Sequence, residues 1–144
     1  MSGGEIVRLE IPSSTKYISV VRQTVEGVAL RLPLATDDIE DVKLAVGEAC
    51  ANAIKHGANN NAPVTICCCI SHRGLEIEIC NAVGNSACTP AFKDLPDPSC
   101  LSEGGLGLYL MKRLMDEVEM FWEDGLVTVK MLKRVMQAKV CREP

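Results

Sequence analysis

Aromatic residues are scarce in this sequence: one Trp, two Tyr and two Phe, 3% of the chain. The interior must therefore be filled by Leu, Val, Ile, Met, Ala and Cys. Positive charge is not in excess either. The net charge is −4, which argues against a nucleic-acid binder that works by neutralising phosphates. Binding to a protein that itself contacts DNA stays open. No stretch approaches the roughly 18 consecutive apolar residues that a membrane helix needs. Met1-Ser2-Gly3-Gly4-Glu5 carries no basic flank and no apolar segment follows it. No secretory signal is expected, and the cytoplasm is the expected compartment.

The eight cysteines include no Cys-x-x-Cys pair, and His56 and His72 fall in no zinc-like pattern. In a reducing cytosol such thiols act as small hydrophobes. In an extended Cys67-Cys68-Cys69, the first and third share one face and the second turns to the other. The whole of residues 1–144 is expected to form one domain, large enough for a core without disulfide or metal, with about the last ten residues as a loose tail.

Periodicity places the elements. Alternation over residues 6–11 predicts a strand, which Pro12-Ser13-Ser14 breaks. Ile18, Val21, Val25 and Val28 recur at helical spacing, so a helix is expected over about residues 16–32, ended by Pro33. A second helix opens at Thr36-Asp37-Asp38, where a hydroxyl or carboxylate can cap free N–H groups, and runs to about His56 before Gly57. Ile39, Val42, Val46, Ala49, Cys50 and Ala53 form its buried stripe. Residues 64–70 and 75–80 read as strands joined at Arg73-Gly74. Residues 81–105 have no period and contain Pro90, Pro96 and Pro98. A loop of that length inside a domain is usually functional. A third helix is expected over about residues 105–116. A hairpin of residues 118–122 and 126–132 then turns at Asp124-Gly125. The order of elements indicates an α+β two-layer sandwich.

Two segments carry chemistry. In Glu48-Ala49-Cys50-Ala51-Asn52-Ala53-Ile54-Lys55-His56-Gly57, the residues Glu48, Asn52 and His56 stand four apart and stack along one side of the second helix. An isolated Glu…Asn pair is most often a solvated face, but the small Ala49, Ala51 and Ala53 allow another element to approach closely. His56 on its own reads as a helix-end residue, and Met111 and Met115 as core. The other segment is Leu101-Ser102-Glu103-Gly104-Gly105-Leu106-Gly107-Leu108-Tyr109-Leu110-Met111, a Gly-rich turn running into an amphipathic helix. Unobstructed N–H groups at a helix start suit phosphate. Alone, such a turn is as often a plain connector.

In this order, with the long loop between them, the two segments resemble the nucleotide-binding boxes of the ATPase/kinase superfamily shared by gyrase, Hsp90, histidine kinases and MutL. Within it the chain resembles, over nearly its whole length, the RsbW-type anti-sigma-factor serine-protein kinases. The likeness is most specific in Asp38-Ile39-Glu40-Asp41-Val42-Lys43-Leu44-Ala45-Val46-Gly47-Glu48-Ala49-Cys50 and in residues 101–111, and it continues through Leu114-Met115-Asp116-Glu117-Val118.

The resemblance implies the Bergerat ATP-binding fold, a mixed, mostly antiparallel sheet covered by helices on one face. It implies ATP and Mg²⁺, with Asn52 as an oxygen ligand to the metal and Glu48 as the general base toward a substrate serine. The phosphates would be held around Gly104, Gly105, Leu106, Gly107 and Leu108, and the loop before them would close as a lid. The implied partners are a sigma factor, sequestered by binding, an anti-anti-sigma (STAS-type) protein carrying the serine, and a second copy in a homodimer. No direct nucleic-acid or membrane contact is implied.

One segment departs from the family. Where Asp-x-Gly-x-Gly is expected, this chain has Asn81-Ala82-Val83-Gly84-Asn85. Asn81 keeps an acceptor for the adenine amino group but not the charge, and charge-assisted hydrogen bonds are roughly twice as strong as neutral ones. Val83 adds bulk where glycine is expected, and Gly84 could compensate by a one-residue shift. By the family pattern, Asp at 81 with Gly at 83 would tighten nucleotide binding. Two functions follow. One is a serine-protein kinase that also captures a sigma factor; the other is a non-enzymatic partner-switching module with a decayed adenine site. Retention of Glu48 favours the first and the altered adenine box the second. A two-component histidine kinase would need an additional helical domain carrying the phosphorylated histidine.

Overall fold

The structure, a computed structural model, describes residues 4–57, 62–82 and 104–135. The long loop that the sequence points to, with Val83, Gly84 and the expected lid, lies outside the described residues, as does the expected tail.

Strand β1 (Ile6–Ile11) leads through a 3₁₀ turn (Thr15–Tyr17) into helix α1 (Ile18–Ala29), followed by α2 (Thr36–Lys55). The hairpin β2 (Val64–Ser71) and β3 (Gly74–Ala82) follows, then α3 (Gly104–Leu114) and the hairpin β4 (Glu117–Glu123) and β5 (Leu126–Arg134). The strands form one five-stranded sheet in the order β1-β2-β3-β5-β4. Every pairing is antiparallel.

Strand parity divides the sheet into two faces. Val64, Ile66 and Cys68 of β2, Leu75, Ile77 and Ile79 of β3, and Val127, Val129 and Met131 of β5 are buried together with the apolar stripes of the helices. From α1 come Val21 and Val25, from α2 Val42, Val46, Ala49 and Cys50, and from α3 Leu108 and Met111. The opposite face carries the charged side chains, with Cys69 and Leu132 buried among them. There Glu117 pairs with Arg73 at 2.8 Å and with Arg134, and Lys130 lies 3.7 Å from Glu78. The Arg73 guanidinium, with Arg134 behind it, holds the Glu117 carboxyl below the usual carboxylate range.

Local chemistry differs from expectation at the start of α2. Ala35 is the N-cap, and no side chain there makes a capping hydrogen bond. Asp37 and Asp38 occupy the first turn, where the helix dipole favours them, and Asp38 also faces a cation. That cation is Lys133, only 7% exposed and turned inward from β5. Its Nζ donates to the carbonyl of Leu114, at the end of α3, at 2.6 Å, and lies 3.8 Å from both Asp38 Oδ1 and Asp41 Oδ2. One buried ammonium group therefore ties the C-terminus of α3 to the N-terminal half of α2. At the tip of the last hairpin, Asp124 (φ 54°) and Gly125 (φ 79°) both have positive φ, as the tight two-residue turn requires. No helix among the described residues is long and apolar enough to cross a membrane.

The Cys67-Cys68-Cys69 run alternates as expected: Cys68 points into the core, while Cys67 is half-buried on the open side. Burial pushes the Cys50 and Cys68 thiols up to about 12. At pH 8, a maleimide pulse followed by peptide mapping is expected to label Cys67 and Cys80 before Cys50 and Cys68, which stay unmodified until the chain unfolds. Equal labelling of all four would contradict this packing. A thiol pKa raised by folding contributes stability that is complete below the unfolded value of 9.0 and is lost as pH climbs toward about 12.

Candidate functional site

Helix α2 presents two adjacent kinds of surface. Its apolar stripe enters the core, and beside it Glu48 and Asn52 stand one helical turn apart, both partly buried. What covers them is α3. A Cβ added at Gly107, the fourth residue of α3, would lie 3.1 Å from Asn52 Nδ2, 3.4 Å from Asn52 Oδ1 and 3.2 Å from Glu48 Oε1. That is tighter than ordinary van der Waals contact, so Gly107 is there for close approach. The small residues expected to admit a neighbour on α2 do admit one, and it is the Gly-rich helix itself.

Gly104 and Gly105 form the first positions of α3. The N–H groups of a first helical turn have no partner within the helix, so an anion near Glu48 and Asn52 would find donors without side chains in the way. Asn52 also keeps hydrogen-bonding capacity to offer. Its Nδ2 is buried and has no hydrogen-bond partner among the described residues. A buried amide with unmet hydrogen-bonding capacity is costly unless something else completes it. The metal ligand set has the same character. No cluster of three or more His, Cys, Asp or Glu side chains able to hold a cation exists among the described residues. One neutral amide oxygen beside a phosphate site suits Mg²⁺, which keeps its waters and takes most other ligands from substrate phosphates.

Beneath Asn52 lies a narrow cavity lined by Ala49, Asn52, Ala53, His56, Asn81, Met111, Met120, Val127 and Val129. Strand register builds its floor, because Asn81 pairs with Val127 and Ile79 with Val129, and Val129 in turn with Met120. Asn81, His56 and Asn52 are thus brought to one place. Sequence reasoning took Met111 for core; it is fully buried and lines this cavity as well. Met120, Val127 and Val129 were not singled out. The signal for them was their parity with Asn81 across the hairpins, which needs the register to be read. Leu108 is buried in the core, whereas the side chain of Leu106 and all of Gly84 are outside what is described. A wider trough on the open face of the sheet is lined by Arg73, Glu76, Glu78, Glu117, Glu119 and Lys130. It is separated from Glu48 and Asn52 by the sheet itself, and its main charges already pair with one another.

This arrangement gathers a polar edge at Asn81 beside apolar walls, the start of α3 and a carboxylate at Glu48. Comparison with known proteins shows the family. A family model described as the histidine kinase-like ATPase domain matches residues 11–133. The serine-protein kinase RsbW of Bacillus velezensis is 39% identical over 137 residues, covering 90% of this chain and 85% of that protein. The protein of that name from Bacillus licheniformis is 36% identical, covering 94% and 89%. The one from Staphylococcus epidermidis is also 36% identical, covering 94% and 91%. A crystal structure of RsbU and RsbW domains from Mycobacterium tuberculosis superposes with a TM-score of 0.66 at 14% identity. It covers 90% of this chain and 32% of that longer one, and the likeness is one of fold.

Proposed function

The chain belongs to the histidine kinase-like ATPase family, within it to the RsbW serine-protein kinases, and on that premise we propose that it is a cytoplasmic anti-sigma factor. In this reading it captures an RNA polymerase sigma factor and, using Mg-ATP, phosphorylates a serine on an anti-anti-sigma protein of the STAS type. The observation that carries the enzymatic half is the seating of Gly107 on both Glu48 and Asn52. It joins a carboxylate, an amide and a free helix start in one place. A pure binding module has no use for that carboxylate.

The roles follow from chemistry. Asn52 offers one neutral oxygen to Mg²⁺, whose contribution when bound is to offset charge on the β- and γ-phosphates. Backbone N–H groups at Gly104 and Gly105 receive phosphate oxygens. Glu48 takes the proton from the serine hydroxyl as its oxygen forms a bond to the γ-phosphorus, while the bond from that phosphorus to the bridging β-oxygen breaks and ADP leaves. Met111, Met120 and Val127 line the cavity beside Asn81 and would give the base an apolar wall. Phosphorylation of the anti-anti-sigma protein would then set which partner the chain holds. A homodimer completes the reading.

Mg-ATP titrated into the protein tests this. Saturation at about 100 times the dissociation constant is expected to raise stability by about 2.7 kcal/mol, read as a shifted thermal transition. Phosphate should appear on a serine of the cognate anti-anti-sigma protein. No shift at millimolar Mg-ATP would overturn the nucleotide site.

A further inference from the structure

The row of β5 that faces the helices reads Val127, Val129, Met131, Lys133. The first three belong to the core, and the fourth is a lysine buried beside them. An apolar residue would fill such a position without the cost of burying an ammonium group. What the ammonium meets accounts for it. Its Nζ donates to the carbonyl of Leu114, the last residue of α3, at 2.6 Å. That carbonyl lacks a donor from its own helix and lies at the negative end of the helix dipole. Nζ also stands 3.8 Å from Asp38 Oδ1 and 3.8 Å from Asp41 Oδ2, both near the start of α2.

Asp116 fastens the same chain end to β5. Its N–H donates to the carbonyl of Leu132 at 2.9 Å, and its Oδ2 accepts from the N–H of Arg134 at 2.6 Å. Those two bonds join α3 to the sheet, whereas Lys133 joins it to α2 as well. Helix α3 has 11 residues, a rod of about 16 Å. Its start carries Gly104 and Gly105, its middle holds Gly107 against Glu48 and Asn52, and its end rests on Lys133. In so short a rod, where the end is held decides how the middle and the start are placed.

We propose that Lys133 is a positioning residue for phosphoryl transfer. By clamping the end of α3 to the start of α2, it sets how closely Gly107 is pressed onto Glu48 and Asn52, and where the start of α3 meets phosphate. Lys133 is not part of the cavity lining, so it acts through α3. The role rests on the nucleotide site argued above, but its first test needs no nucleotide.

That test is a cycle of melting temperatures on the nucleotide-free protein: wild type, Gly107→Ala, Lys133→Met and the double variant. Gly107 and Leu114 are about 10 Å apart along the helix, and changes at such a separation ordinarily add. With the clamp in place the added methyl is opposed, so Gly107→Ala should melt no higher than wild type. Without it, α3 is free to yield by the few tenths of an ångström the methyl needs. In the Lys133→Met background the same Gly→Ala change should then raise the melting temperature by about 2–4 °C, the ordinary helix gain. A purely structural lysine would leave the effect of Gly107→Ala the same in both backgrounds. With Mg-ATP at saturation, Lys133→Met is expected to slow single-turnover transfer about 10- to 100-fold, as displaced reacting groups do. An additive cycle, or a wild-type rate in Lys133→Met, overturns the proposal. Should Lys133→Met fail to fold, Asp38→Asn with Asp41→Asn takes its place in both measurements, since it keeps the bond to Leu114 and removes the charges from α2. A wild type that binds no Mg-ATP would refute the nucleotide site and this role with it. An active wild type with an additive cycle refutes the role alone.

Discussion

Glu48→Gln is expected to lower phosphoryl transfer by about 10²–10⁴-fold, the usual cost of losing a positioned general base. Nucleotide affinity and sigma-factor capture should stay close to wild type. Glu48 lies one turn before Asn52 on the same side of α2, so in the proposed mechanism a carboxylate there would reach a hydroxyl aligned on a phosphate held beside Asn52. Gln has nearly the same shape, keeps the helix and still packs beside Gly107, but it cannot take a proton. Single-turnover transfer, measured beside calorimetric binding of Mg-ATP, separates the two effects. An equally active variant would remove Glu48 from the base role. A wild type with no transfer, matched by the variant in every assay, would instead make the chain a binding module.

A larger side chain at Gly107 is the second change with a severe expected outcome. A Cβ alone would stand 3.1 Å from Asn52 Nδ2 and 3.2 Å from Glu48 Oε1. Gly107→Leu must push α3 away from α2 or drive both functional side chains out of place. Displacement of a reacting group by about 1 Å costs on the order of 10²-fold in rate, and here two groups move together. Loss of detectable transfer and at least about 10²-fold weaker Mg-ATP binding are expected. Gly107→Ala gives the graded control. In an open helix interior, alanine would add about 1 kcal/mol of stability over glycine. Here the contact opposes that gain. A Gly107→Ala protein that is both more stable and fully active would show that α3 does not press on Glu48 and Asn52.

Much of the architecture is written in local pattern. Alternation in β1 to β5 and helical spacing in α1 to α3 place every described element within a few residues. Asp124-Gly125 specifies its turn because few residues tolerate positive φ at two successive positions. The Glu48-to-Asn52 spacing was legible for the same reason: a helix of known period fixes which residues share a side. The start of α2 was less so. Thr36, Asp37 and Asp38 all favour a helix N-terminus, yet Ala35 is the cap and makes no side-chain capping bond, while Asp38 lies 3.8 Å from Lys133 on β5.

The sequence alone therefore determined the elements, their amphipathic faces and the pair of boxes that mark the family. These depend on interactions between residues a few positions apart, whose geometry a single helix or strand already sets. Tertiary structure alone decided what each face meets. Lys133 sits on a strand whose pattern does not tell it from any exposed lysine until α3 ends above it and α2 brings Asp38 and Asp41 to it. Gly107 looks like one more residue of a phosphate loop until the docking of α3 on α2 makes it the contact with Glu48 and Asn52. Asn81 reads from sequence as a weakened aspartate, and becomes a donor to Ala53, 28 residues away, only when β3 passes the end of α2. Such contacts depend on how layers dock, and docking is set by the summed packing of the core.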